Sequence, residues 1–315
     1  MREESSTSKR RLVFVGDVHG YVHSLFSHAL EDSYTNTDFV VLGDFGVGFR
    51  FFNDELKDSK KLLEENKELG NRFYVLRGNH DDPDYFNWKK TLDCPESKII
   101  IFKQDCSAAI LGDNKTVFFF GGGVSSDKHW RIQKATPSEP LYWENELPVL
   151  RDFAECEDIA QFARNFARIH DMKRQLYCEE TIRENLRRKK TFKNTELKFP
   201  EPKTLYVATH SAPVWCKPNI KWDGKIGDAE IRKENDLERG TLSRLYYVLK
   251  RNLNFCSHKD SVQFKWFYGH FHDSSSMVFG QDSFTGLSPL EFYEPEKETP
   301  VYRVRNTFLN GRNLL

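Results

Sequence analysis

The sequence carries no excess charge of either sign. Its 47 Lys and Arg residues balance its 47 Asp and Glu residues, so the formal net charge is zero. Dedicated nucleic-acid coats and polybasic membrane binders need a strong positive excess, and the composition argues against both classes. Nucleic acid is therefore not the favoured partner, although the composition permits it as a substrate.

Long apolar runs and paired cysteines are also missing. No run approaches the roughly 20 residues that span a bilayer, and the first residues, MREESSTSKRR, lack the apolar stretch of a secretory signal. The six cysteines are scattered without a C-x-x-C pair, which fits a reducing compartment better than a disulfide framework. The sequence thus predicts a cytoplasmic protein with no membrane partner.

Aromatic residues, in contrast, are abundant. The chain contains 26 Phe, 12 Tyr and 6 Trp among 315 residues, and this content excludes a largely disordered protein. A chain of this length allows one large or two ordinary domains, because domains usually contain about 100–200 residues.

Short apolar runs alternate with helical patterns along the first part of the chain. Runs at residues 11–15, 39–42 and 73–76 each stop at or just before a glycine, and helical patterns at 22–30 and 53–69 separate them. This alternation predicts a β-α-β-α chain with a mainly parallel inner sheet.

The second part of the chain has further strand patterns, interrupted by a stretch of different texture. Strands are predicted at 98–103, 108–111, 116–120, 204–208 and 265–268, with a long helix at 228–251. Between them, three prolines precede a helix-rich, highly charged stretch. We interpret residues 137–200 as a helical insertion or cap, residues 11–136 and 201–315 as the core, and residues 1–10 as a flexible tail.

Polar residues collect just after the predicted strands, where ligands bind in open α/β sheets. The segments are GDVHG (16–20), GDFG (43–46), GNHD (78–81), THS (209–211) and GHFH (269–272). Asp17 and His19 are two residues apart, as are His270 and His272, so in extended backbone each pair would face one side. Asp, Asn and neutral His together suit Mn, Fe, Zn or Ni.

These segments, in this order, resemble those of the calcineurin-like metallophosphoesterase superfamily. The resemblance covers roughly residues 11–135 and 203–293, and Gly121–Arg131 (GGGVSSDKHWR) is similar to a segment common in bacterial and phage members. The resemblance implies a four-layer α/β/β/α sandwich in the α/β class. It also implies a site for two divalent cations, of which Mn²⁺ is the favoured ion and Fe, Zn or Ni are alternatives.

The resemblance also implies a role for each motif residue. Asp17, His19 and His272 would hold the first metal, Asp44 would bridge both, and Asn79, His210 and His270 would hold the second. His80 would act as general acid or hold the phosphate, and Asp81 or another carboxylate would orient it. Arg77, His129 and Arg131 are weaker candidates for substrate contact, because structural ion pairing explains them equally well.

The function implied is hydrolysis of a phosphate monoester by a metal-bridging hydroxide. The substrate would be a phosphoprotein or a small phosphorylated metabolite or nucleotide. The alternatives are a phosphodiesterase or nuclease of the same superfamily and a scaffold without catalysis. After GDFG the chain lacks the Asp and Arg usual in calcineurin-type protein phosphatases, although residues 76–81 (LRGNHD) resemble that group. The sequence leaves the oligomeric state open.

Overall fold

The computed structural model describes most of the predicted core. The described residues are 9–87, 89–105, 107–136, 140–143, 146, 204–218, 229–256, 262–297 and 300–302. The predicted helical insertion, residues 137–200, and the predicted tail therefore lie almost wholly outside the described part.

Two six-stranded sheets form the centre of the fold. The first has the order β12-β11-β1-β2-β3-β4, with β1 to β4 parallel and β11 antiparallel to β1. Its strands are β1 (Arg11–Val15), β2 (Thr37–Val41), β3 (Arg72–Val75), β4 (Ile100–Phe102), β11 (Phe292–Tyr293) and β12 (Pro300–Tyr302).

The second sheet has the order β5-β6-β7-β8-β10-β9, and β6, β7, β8 and β10 run parallel. Strands β5 and β9 pair antiparallel at its two edges. Its strands are β5 (Ser107–Leu111), β6 (Lys115–Phe120), β7 (Thr204–Thr209), β8 (Gln263–Tyr268), β9 (Ser275–Phe279) and β10 (Asp282–Gly286).

Helices cover the outer faces of the two sheets. The described helices are α1 (Val22–Glu31), α2 (Arg50–Asp58), α3 (Lys60–Glu68), α4 (Pro83–Phe86), α5 (Lys128–Lys134) and α6 (Ala229–Cys256), with a 3-10 helix at Pro95–Ile99. The 53–69 pattern is thus two helices, divided at Ser59, whose hydroxyl bonds to the carbonyl of Glu55. Such back-bonding competes with a straight helix.

The alternation of side chains along each strand explains the layers. In β1, the side chain of Val13 lies in the apolar core between the first sheet and helices α1 to α3. The next side chain, Phe14, points to the opposite face, towards the second sheet, and stacks on Phe267. On the far face of the second sheet, Trp266 and Leu245 of α6 belong to one buried apolar cluster. Three apolar layers therefore separate four layers of structure, and the fold is an α/β/β/α sandwich.

Candidate metal centre

The predicted ligands lie where strands of both sheets end. They follow β1, β2 and β3 of the first sheet and β7 and β8 of the second. Because the two sheets stack face to face, the carboxyl ends of these strands meet at one edge of the sandwich. The structure brings together there Asp17, His19, Asp44, Asn79, His210, His270 and His272.

The donor atoms form two groups that share one carboxylate. Asp17, His19, Asp44 and His272 each place one donor atom within 4.8 Å of the others, and Asp44, His210 and His270 do the same. Asn79 joins the second group, because its Oδ1 lies 2.8 Å from Nε2 of His210. Each group has the number and chemistry of donors that a divalent transition metal needs.

Several of the candidate ligand atoms are hydrogen-bond acceptors that have no donor opposite them. Such an arrangement fits a cation bound between them. Nδ1 of His210 donates to the carbonyl of Leu42, so its Nε2 presents a lone pair to the Asn79 oxygen. The Asn79 amide nitrogen is turned away and donates to Ser125. Oδ1 of Asp17 is buried without a hydrogen-bond partner among the described residues. These orphaned acceptors fit a bound metal ion.

The backbone at the site is not extended, contrary to the geometry assumed for the i, i+2 pairs. His19, Asp44, His270 and His272 all have positive φ, between 46° and 67°. Left-handed backbone is uncommon for residues other than glycine and concentrates at functional sites. The pairs converge because the chain turns sharply at each strand end.

One glycine shows how closely the loops approach. A Cβ atom at Gly269 would lie 2.1 Å from Oδ1 of Asp17. The loop after β8 can pass the first loop only without a side chain at this position, and the amide of His270 then donates to Oδ2 of Asp17.

Burial shifts the titration of the donors in opposite directions. Desolvation raises the pKa of Asp44 to about 7, and burial together with the Asp44 charge raises the pKa of Asp17 well above its usual range. Burial lowers the pKa of His210 to about 4 and the pKa of His19 well below its usual range. The chain alone thus disfavours both charged carboxylates and charged imidazoles.

His80 and Arg131 lie together beside the donor groups. The His80 amide donates to Oδ1 of Asp44, and its ring centroid lies 5.1 Å from that of His19. The buried guanidinium of Arg131, from α5, contacts the His80 ring through Nη2 and is ion-paired with Asp127. Burial first, and the Arg131 charge second, lower the pKa of His80 well below its usual range.

The other two predicted substrate residues are placed differently. Arg77 is completely buried, and its Nη2 lies 2.8 Å from the carboxylate of Asp105. Its carbonyl accepts from the Gly122 amide, so Arg77 joins the loop after β3 to the loop after β6. His129 lies on the exposed side of α5. Among the three predicted substrate residues, Arg131 is therefore the one whose side chain contacts His80.

Asp81 binds backbone amides, and the structure gives it a role other than orienting His80. Its buried carboxylate accepts from the amides of Gly46 at 2.7 Å, Gly78 at 2.8 Å, and Phe45 and Val47 at 3.2 Å each. The side chain therefore fixes the loop after β2 against the loop after β3.

Asp81→Asn is expected to lower the free energy of unfolding by about 2 kcal/mol, because the new side-chain NH2 would face two of the four backbone N–H groups that the carboxylate now accepts. Denaturant unfolding of the two proteins measures the difference. Asp93→Asn, at an exposed position, is the matched control. Equal stability of wild type and Asp81→Asn would contradict this role.

The sequence did not predict the residues whose hydrogen bonds orient the Asn79 side chain. Ser125 accepts from the Asn79 amide, and its own backbone amide donates to Glu146. The neighbouring amide of Val124 donates to Glu238, a buried residue of α6. The family resemblance drew attention to residues 121–131, which include Ser125, but nothing local in the sequence points to Glu146 or Glu238.

A four-layer sandwich with an Asp, Asn and His cluster at its strand ends defines a metal-binding α/β protein. The model of the calcineurin-like phosphoesterase family matches residues 10–274. The chain therefore belongs to this family of metal-dependent phosphoesterases. No curated protein matches it significantly.

Two solved structures are similar over most of their length. One has 11% identity and a TM-score of 0.40, and the match covers 92% of this chain and 97% of that one. The other is phosphopantetheinyl hydrolase from Mycobacterium tuberculosis, with 10% identity, a TM-score of 0.34, and coverage of 93% and 94%. Within the described part of the chain, no helix has the length and apolar character needed to cross a membrane.

Proposed function

We propose that the protein hydrolyses phosphate monoesters with two divalent cations, of which Mn²⁺ is the favoured ion. The observation that carries this proposal is the pair of donor groups sharing Asp44. Asp17, His19, Asp44 and His272 would hold one ion. Asp44, Asn79, His210 and His270 would hold the other. When bound, the two ions would lower the pKa of water and attract phosphate oxygens.

Two side chains beside the donor groups, Arg131 and His80, would bind the phosphate and supply the proton. Arg131 places a positive charge next to His80, and its Nη2 faces the His80 ring while its Nε pairs with Asp127. A monoester dianion gains more from this charge than a diester monoanion does, which favours a monoesterase over a diesterase or nuclease. His80 would stand beside the departing oxygen and deliver a proton to it. The substrate would be a small phosphorylated molecule or a phosphoprotein.

Metal-dependent turnover tests this function. The chelator-treated full chain should be inactive, and Mn²⁺ should restore hydrolysis of p-nitrophenyl phosphate more than hydrolysis of bis-p-nitrophenyl phosphate. Preference for the diester would indicate the phosphodiesterase alternative. Bound metal without hydrolysis of any ester in a phosphoester panel would contradict the proposal and favour the scaffold.

Metal binding is expected to weaken as the pH falls below about 7. A cation must displace the protons that burial favours on Asp44 and Asp17, whereas the lowered pKa values of the histidines keep them neutral in this range. The apparent affinity should fall about tenfold per pH unit for each displaced proton. Calorimetric titration of Mn²⁺ into chelator-treated protein at pH values of about 6, 7 and 8 measures this, and a flat profile would contradict it.

A further inference from the structure

Three aromatic side chains form a wall beside His80. The ring of Phe49 lies 6.3 Å from the His80 ring, 5.7 Å from the ring of Phe51 and 5.2 Å from the ring of Trp143. Phe49 and Phe51 are tilted by 31°, whereas Phe49 and Trp143 meet edge to face at 88°. The polar cluster is thus bounded on the His80 side by apolar rings, which we call the aromatic wall.

Phe51 is the exposed member of the aromatic wall. Its side chain is 47% exposed, although it lies at the beginning of α2, whose buried face is supplied by Phe52 and Leu56. The ring lies against Gly20, where an added Cβ would be 2.1 Å from Cε2 of Phe51. Because Gly20 follows His19 directly, the exposed ring stands next to the first donor group. Packing of α2 does not explain this position.

Trp143 and Arg131 are joined through one short segment. Arg131 Nη1 donates to the carbonyl of Leu141, two residues before Trp143. The Trp143 ring covers Gly48, where an added Cβ would be 2.9 Å from Cζ2. The guanidinium of Arg131 carries a positive charge suited to phosphate. Through its hydrogen bond to the Leu141 carbonyl, it also contacts the segment that carries Trp143.

We infer that the substrate's leaving group carries a planar aromatic ring, which stacks on Phe51 within the aromatic wall. This inference rests on the proposed function and specifies its substrate class. In the proposed function the departing oxygen would lie beside His80. The ring of Phe49 is 6.3 Å from the His80 ring, and Phe51 is the exposed neighbour of Phe49 that a leaving group could reach. Aromatic rings pair favourably in offset and edge-to-face arrangements, and an aliphatic group lacks this contribution. Water adds to phosphorus and leaves one proton on the phosphate product, the ester P–O bond breaks, and the departing oxygen takes the other proton, so that an alcohol or phenol is released.

Phosphonates test the inference through binding alone. Titration calorimetry on the Mn²⁺-loaded full chain compares phenylphosphonate with methylphosphonate, neither of which has an ester bond to hydrolyse. Wild type should bind phenylphosphonate about tenfold more tightly, and Phe51→Ala should reduce this ratio to about twofold or less. Phe51→Leu should also lose most of the preference, because it keeps apolar volume without a ring. Phe279→Ala, at another exposed Phe on β9, is the matched control and should keep the ratio.

The outcomes separate this inference from the proposed function. Methylphosphonate binding without a phenyl preference, or a preference that Phe51→Ala or Phe51→Leu leaves unchanged, would overturn the inference alone. Absence of binding by both phosphonates together with no turnover of any ester would overturn the proposed function.

Two sources of the ring are distinguished by hydrolysis. For an aryl ester, the kcat/KM ratio of phenyl phosphate to glycerol phosphate should fall in Phe51→Ala. For a nucleotide, the ratio of adenosine monophosphate to ribose 5-phosphate should fall instead. Either result supports an aromatic leaving group. A fall in the phenyl phosphate ratio identifies an aryl ester, and a fall in the adenosine monophosphate ratio identifies a nucleotide. If neither ratio depends on Phe51, the inference is wrong.

Discussion

Asp44→Asn is expected to lower kcat/KM by about 1,000-fold or more, the largest loss from any single substitution at the site. Asp44 is the one side chain that belongs to both donor groups: its Oδ1 lies 3.3 Å from His210 Nε2, and its Oδ2 lies 3.9 Å from His19 Nε2. Asparagine keeps the shape but removes the charge, so both cations would bind more weakly. Kinetics at saturating Mn²⁺ and elemental analysis of bound metal measure the two effects.

Asp54→Asn provides the control for this experiment. Asp54 is an exposed carboxylate on α2, and its loss makes the same chemical change away from the donor groups. It should leave activity and metal content unchanged. An Asp44→Asn protein that retains two metals per chain would show that Asp44 does not bridge them.

The strands of the fold could be predicted from the sequence because each carries its own pattern, whereas the four-layer arrangement was implied by the family resemblance. The first strand was predicted at its observed bounds, Arg11–Val15, and β2 and β3 begin and end within two residues of prediction. The division of the 53–69 helix at Ser59 could not be predicted from apolar spacing, because a side-chain hydrogen bond causes it. Sheet order was not predictable either, since it depends on pairing across long sequence separations.

The candidate ligands could be predicted, but the contacts that hold them could not. Asp17 and Asp44 lie at strand ends that a local pattern reveals. Glu238 lies 114 residues from Val124, whose amide it accepts, and no periodicity connects the two. Arg77 and Arg131 are equal candidates for substrate contact when the sequence is considered alone. Only the fold shows that Arg77 is ion-paired with Asp105 while Arg131 reaches His80.

His80→Ala is expected to lower kcat by about 100- to 10,000-fold without changing the metal content. The donors of both groups remain in this variant. His80 Nε2 lies 3.9 Å from Oδ2 of Asp44, but the backbone amide of residue 80, which donates to Oδ1 of Asp44, is kept. Elemental analysis and steady-state kinetics measure the two quantities. His23→Ala, at an exposed position on α1, is the control and should match wild type. Loss of metal together with activity would place His80 among the ligands instead.

Leaving-group dependence in His80→Ala decides between proton donation and phosphate binding. Burial and the Arg131 charge lower the pKa of His80 in the free protein, so its ring is neutral at neutral pH. A bound phosphate dianion would offset part of the Arg131 charge, which is the second cause, after burial, of the lowered pKa of His80. A general acid matters least for leaving groups that depart without a proton. The defect should therefore be smaller for p-nitrophenyl phosphate than for phenyl phosphate, whereas a residue that only binds phosphate would slow both equally.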